Sequence, residues 1–143
     1  MTKHEIIIGN SNDMKAIPDG TVNLIVTSPP YPMIEMWDEM FSSQHPAIRN
    51  DFESGNGMAA FEKMHEVLNA IWQECDRVLA DNGFVCINIG DATRTINDNF
   101  QLYSNHTQII NKFLQPGQQP VRQRTYRHLH FRLHKRLCQV FLI

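Results

Sequence analysis

The sequence predicts an α/β fold: a parallel sheet whose strands are joined by crossover helices. Three observations lead there. Over the first 115 residues, short β-branched runs alternate with segments of helical period. The longest helical segment lies between two apolar runs, Val22–Thr27 and Phe84–Ile89, each too short to be a helix itself. The chain has 143 residues, 42% hydrophobic and 20% charged, which suits one ordinary core and leaves no room for a multidomain enzyme.

Taken in order, Glu5 to Ile8 reads as a first short strand, broken by Gly9-Asn10-Ser11. A weakly amphipathic stretch from Asp13 to Ile17 ends at the turn Pro18-Asp19-Gly20. Val22 to Thr27 is the second strand, halted by Pro29-Pro30, which cannot donate ladder hydrogen bonds. From Pro32 to Gly57 no period is sustained, so a long loop with at most a helical turn is expected. Phe61, Met64, Leu68, Ile71, Cys75, Val78 and Leu79 then recur at three and four residues, one apolar stripe on a helix over 59–79 that Asn82-Gly83 ends. Phe84 to Ile89 is a third buried strand, stopped by Gly90-Asp91. A last helix spans Tyr103 to Leu114, capped by Ser104 or Asn105, with Ile109, Ile110 and Phe113 inward.

Charge divides the chain near Pro116. Residues 1–115 hold seven Lys or Arg and all fifteen acids, whereas residues 116–143 hold six basic residues and no acid. This gives two regions, 1–115 as the folded part and 116–143 as a basic tail. No run reaches the roughly 18 to 20 apolar residues of a membrane span, and no apolar stretch follows the first charges, so a cytoplasmic protein is expected. Three cysteines, Cys75, Cys86 and Cys138, without a C-x-x-C pair, fit reduced thiols rather than a disulfide framework or a zinc ribbon.

The chemistry is expected where the second strand runs into Thr27-Ser28-Pro29-Pro30-Tyr31, because ligands of open α/β sheets sit outside the carboxyl ends of the strands. Two prolines stiffen this turn and contribute no N–H. The turn offers acceptors, the Ser28 hydroxyl and nearby carbonyls, with the Tyr31 ring alongside. Such a site suits a planar aromatic amine. The lone pair of a nucleobase amino group is delocalised into the ring, and acceptors taking both N–H bonds draw the nitrogen toward tetrahedral geometry, ready to attack an activated methyl. Stacking of Tyr31 on the base is worth roughly 1 to 3 kcal/mol. A base so held must first leave the duplex.

Thr27-Ser28-Pro29-Pro30-Tyr31 resembles the motif of amino-directed DNA methyltransferases, in the form most typical of cytosine-N4 enzymes. Ile7 to Ser11, Pro18 to Val26, Trp72 to Leu79 and Asp81 to Asp91 resemble the same family in order and spacing, covering residues 5 to about 115. The resemblance implies a Rossmann-like, S-adenosylmethionine-dependent fold, here a partial sheet, and double-stranded DNA as substrate, in a restriction-modification system. It implies that Ser28 and the Pro29 carbonyl hold the amine, that Pro30 completes the turn and that Tyr31 stacks on the flipped base. Asn10 stands where the family commonly has an Asp that contacts the cofactor's adenine; as an amide it can bond an adenine without a charge.

The family's aromatic-x-Gly-x-Gly cofactor loop is not found. Phe52-Glu53-Ser54-Gly55-Asn56-Gly57 imitates it, but no strand precedes it and its spacing is one residue too long. A second chain carrying the cofactor-binding half is therefore an expected partner, and weak cofactor binding is expected of this chain alone. Adenine-N6 methylation is the nearest alternative, because the site recognises an amino group and not the ring bearing it. A non-enzymatic remnant and a plain DNA-binding module using the tail are the readings of other classes.

No cysteine follows a proline, so ring-carbon methylation through a thiolate has no candidate, and Cys75 and Cys86 fall on apolar faces. Trp72, Met58 and Met64 have the spacing of core residues. Trp37 fits either loop packing or DNA contact. Asp91, just past a strand end, is a candidate for shaping the site. For the tail three readings compete: phosphate neutralisation by Arg122, Arg124, Arg127, Arg132, Lys135 and Arg136; a metal held by His130, His134 and Cys138 on one helix face; and, the preferred one, out-of-frame or disordered sequence after a truncation. No metal is expected.

Overall fold

The computed structural model describes residues 2–114, 129–134 and 137–142. Strand β1 (Val22–Thr27) pairs in parallel with β2 (Leu79–Ile87), from Leu24 beside Phe84 to Thr27 beside Ile87. The crossover between them carries three helices, α1 (Asp38–Gln44), α2 (Ala47–Glu53) and α3 (Gly57–Val78), with a 3-10 turn at Glu35–Trp37. After β2 come an antiparallel hairpin, β3 (Ala92–Ile96) and β4 (Asn99–Tyr103), and helix α4 (Asn105–Leu114). The class is α/β with a parallel sheet, as expected, and the sheet is small.

Helix α3 begins where Asn56 Oδ1 accepts from the Ala59 N–H at 3.1 Å, which satisfies one of the donors a helix start leaves unpaired. Its stripe of Phe61, Met64, Leu68, Trp72, Cys75 and Val78 is buried, together with His65. Against it lie Val85, Ile87 and Ile89, while Leu24, Val26 and Phe84 on the other face of the sheet remain 57%, 72% and 49% exposed. The helix stops at Val78, before Asn82-Gly83. Residues 80–83 bulge between the Leu79 and Phe84 pairings, and Gly83 passes so close to β1 that a Cβ there would lie 2.9 Å from the Val22 carbonyl oxygen.

Three expectations are corrected here, and one element is added. Glu5 to Ile8 forms no strand: Ile6 and Ile8 are 88% and 96% exposed, and without a ladder partner among the described residues a β-branched run has nothing to pair with. The stretch from Asp13 to Ile17 is a pair of turns rather than a helix, held by side chains from α3. The segment 32–57 is not a loop but α1 and α2, which bury Phe41 and Ile48; each spans only seven residues, too few for a period to show. The hairpin β3–β4 is an addition to the expected elements. Its two-residue turn has Asn97 and Asp98 at φ of 47° and 59°, the left-handed pair that matches strand twist, and residues of this type are those that tolerate it.

Arg94 on β3 fastens that hairpin to α1 by two parallel bonds to Asp38, at 2.8 and 2.6 Å, with its guanidinium 4.5 Å above the Phe52 ring. Trp37 packs against the core. Leu129–His134 and Leu137–Leu142 form a second antiparallel hairpin, β5–β6. The helix face that one of the three readings gave to His130, His134 and Cys138 is thus corrected: these residues lie on extended, antiparallel strands. Arg122, Arg124, Arg127, Lys135 and Arg136 lie outside the described residues. Among the described residues no helix is long and apolar enough to cross a membrane.

Candidate functional site

At the carboxyl end of β1 the Thr27 carbonyl still accepts from the Asn88 N–H at 2.9 Å, so the two parallel strands deliver their following loops side by side. Ser28 is exposed, Pro29 is buried, and the half-buried Tyr31 turns back so that its hydroxyl lies 3.5 Å from Ser28 Oγ. The four residues 28–31 are thereby brought together with the hydroxyl and the phenol adjacent. The chain then bends sharply. Tyr31 O accepts from the Ile34 N–H at 3.2 Å, and Met33, 1% exposed, takes a φ of 70°, left-handed backbone that costs a side-chain-bearing residue about 1–2 kcal/mol. Burial of Met33 in the core, beside Met64 Sδ at 3.4 Å, holds it there.

The second loop begins at Gly90. The Tyr31 ring faces it across the space of one methyl group: a Cβ on Gly90 would stand 3.4 Å from Tyr31 Cε2. Asn105, fully buried at the start of α4, donates to the Pro32 carbonyl at 3.1 Å and to the Gly90 carbonyl at 3.0 Å. Its Oδ1 meets His65 Nε2 at 2.9 Å. Burial lowers the His65 pKa to about 4, against the raising effect of that hydrogen bond, so the ring is neutral at ordinary pH. Asp91 does shape this end: Oδ1 accepts from the His106 N–H at 3.2 Å and lies 2.6 Å from His106 Nδ1, securing the first turn of α4. The sequence offers Asn105 only as a helix cap and does not single out His65; the Asn105 side chain instead reaches Pro32, Gly90 and His65, and a buried His looks like any polar residue on an amphipathic helix.

Asn10 is exposed, in a turn where its Oδ1 accepts from the Asn12 N–H at 3.2 Å. Among the described residues no hydrogen bond joins it to residues 28–31. The turns that follow it are tied to α3 by Arg77, which donates to the Ile17 and Met14 carbonyls at 3.0 Å each and to Asp19 and Glu74. Arg77 and the Met14 N–H hold the Glu74 carboxyl down at about 2. An open depression of about 610 Å³ lies here, lined by Asn12, Asp13, Lys15, Glu74 and Arg77.

For S-adenosylmethionine, the fit turns on the chain's one Gly-x-Gly sequence. Gly55-Asn56-Gly57 is a helix start: Asn56 caps α3, and Gly57 faces the Tyr103 hydroxyl, which a Cβ would strike. It is therefore not a cradle for the methionine part of the cofactor.

At this end of the sheet a parallel strand runs into a Ser-Pro-Pro-Tyr turn whose tyrosine ring faces the loop after the next strand, in an α/β fold. The chain belongs to the DNA methylase family, which it matches over residues 22–131. It is 48% identical over 119 residues to the type II methyltransferase M.MthZI of Methanothermobacter thermautotrophicus, covering 82% of this chain and 34% of that protein. To the type II methyltransferase M.MjaI of Methanocaldococcus jannaschii it is 44% identical over 127 residues, covering 81% of this chain and 42% of that protein. The chain thus spans less than half the length of these relatives. Its fold is that of TTHA0409 from Thermus thermophilus, described as a DNA modification methylase, at a TM-score of 0.53 and 21% identity over 74% of this chain and 37% of that one. The same protein complexed with S-adenosyl-L-methionine matches at 0.53, covering 73% and 36%.

Proposed function

We propose that this chain carries the amine-binding part of a cytosine-N4 DNA methyltransferase acting on double-stranded DNA within a restriction-modification system. The observation that carries the reading is the 3.5 Å approach of Ser28 Oγ to the Tyr31 hydroxyl at the carboxyl end of β1. Ser28 Oγ and the Pro29 carbonyl accept the two N–H bonds of the exocyclic amine. The Tyr31 ring stacks on the unstacked base, and Pro30 keeps the turn rigid. Positioning of this kind, without a covalent enzyme intermediate, supplies the rate. S-adenosylmethionine is the methyl source the reading requires, with Asn10 as a contact to its adenine. The cradle for its methionine part comes from outside the described residues, from further sequence or a second chain.

The test joins residues 1–114 to the part of M.MthZI that this chain does not cover and weighs the nucleosides of host DNA. N4-methylcytosine that disappears with Ser28→Ala supports the reading. N6-methyladenine would replace it with the adenine alternative, and methyl on a ring carbon would refute both. Calorimetry on the chain alone is expected to show no micromolar binding of S-adenosylmethionine.

A further inference from the structure

We propose that Asn105, oriented by His65, is the positioning residue for Tyr31; this rests on the amine-binding reading of the 28–31 turn. Asn105 grips both sides of the tyrosine at once. One amide hydrogen goes to Pro32, the residue that follows Tyr31, and the other to Gly90, which faces the ring across the space of one methyl group. These loops belong to different strands, 59 positions apart along the chain between Tyr31 and Gly90, and one side chain sets their separation.

The hydrogen-bond inventory fixes the state of this network. With both amide hydrogens spent on carbonyls, Asn105 Oδ1 can only accept, so His65 Nε2 must carry the proton. A neutral His65 with its hydrogen on Nε2 therefore prevents the amide from flipping, because a flipped amide would aim Oδ1 at a carbonyl and leave two buried polar groups unpaired. The Phe61 ring, edge-on to His65 with centroids 4.7 Å apart, keeps the imidazole in place. Asn105 has no exposure, so it touches no substrate and acts only through the loops it holds.

The test uses the full chain labelled with 3-fluorotyrosine, the Tyr31 fluorine signal being assigned by its loss in Tyr31→Phe. Asn105→Asp keeps the shape and the acceptors but removes both donors, and His65→Phe removes the group that orients the amide. His65→Gln keeps an N–H donor and is the conservative rescue. Each variant is checked for its Trp72 indole signal as a sign that the core is intact. The expected result is a displaced or broadened Tyr31 signal in Asn105→Asp or His65→Phe, restored toward wild type in His65→Gln. An unmoved Tyr31 signal in a folded variant overturns the proposal; if Asn105→Asp does not fold, His65→Phe and His65→Gln decide it.

In the joined enzyme described above, Asn105→Asp and His65→Phe are expected to lower kcat about tenfold with little change in KM for DNA, and His65→Gln to restore it toward wild type. A moved ring with unchanged kcat overturns the positioning role. A wild-type fusion that methylates no amine refutes the amine-binding reading instead, whatever the fluorine signal does.

Discussion

Gly90 presents its α-carbon to the ring of Tyr31, with room for a single methyl group at 3.4 Å from Cε2 and 3.9 Å from Cδ2. That spacing is ordinary van der Waals contact. Gly90→Ala should therefore fold and leave the ring in place. Gly90→Val adds a branch where the ring now lies and should cost about 1–3 kcal/mol, read as a lower urea midpoint at unchanged slope.

Gly57 has no such room. A methyl there would collide with the Tyr103 hydroxyl and stand 2.8 Å from Ile96 Cδ1, both from the buried face of the hairpin. Gly57→Ala is expected to destabilise the chain by about 1–3 kcal/mol although alanine is the better helix former. Thermal unfolding of the single variant, and of Gly57→Ala with Tyr103→Phe, checks the cause: removal of the hydroxyl should restore part of the loss.

The Arg94 to Asp38 pair is bidentate and its side chains are only 19% and 22% exposed. Lysine cannot reproduce the two parallel bonds or the stacking over Phe52. Arg94→Lys should cost about 1 kcal/mol, and a double-mutant cycle with Asp38→Asn should give a coupling of similar size. A coupling near zero would mean that the hairpin is held by apolar contacts alone.

His65 makes stability depend on pH. Its pKa is about 4 in the folded chain against an ordinary 6.5, because burial disfavours the charged ring. Between those values the unfolded chain holds a proton that the folded chain does not. Stability is therefore full above pH 6.5 and declines as pH falls toward 4, by about 3 kcal/mol in total. The difference between wild type and His65→Gln, followed by urea unfolding from pH 7 to 4, should shrink on acidification by that amount. Glu74, held low by Arg77, adds a second and lower window in which stability is lost as pH drops from 4.5 toward 2.

The local signals that were legible in the sequence are those a single element carries within itself. Val22–Thr27 is readable as a strand because an apolar run ends at a proline pair, and α3 because its stripe repeats over 22 residues. Ser28 to Tyr31 is readable as a site because rigidity, acceptors and a ring stand in one short stretch. The helices α1 and α2 are too short to show a period, and the left-handed turn at Asn97-Asp98 is marked by residue type alone.

By itself the sequence determined the α/β class, the family and the turn in which the chemistry is proposed to sit. Tertiary structure decided what surrounds that turn. Only folding brings Asn105 and Gly90 to Pro32 and Tyr31, since contacts between residues 15 to 73 positions apart depend on where whole elements pack. It also decided that Ile6 to Ile8 form no strand, because a strand is a relation between two segments and its hydrogen bonds must find a partner.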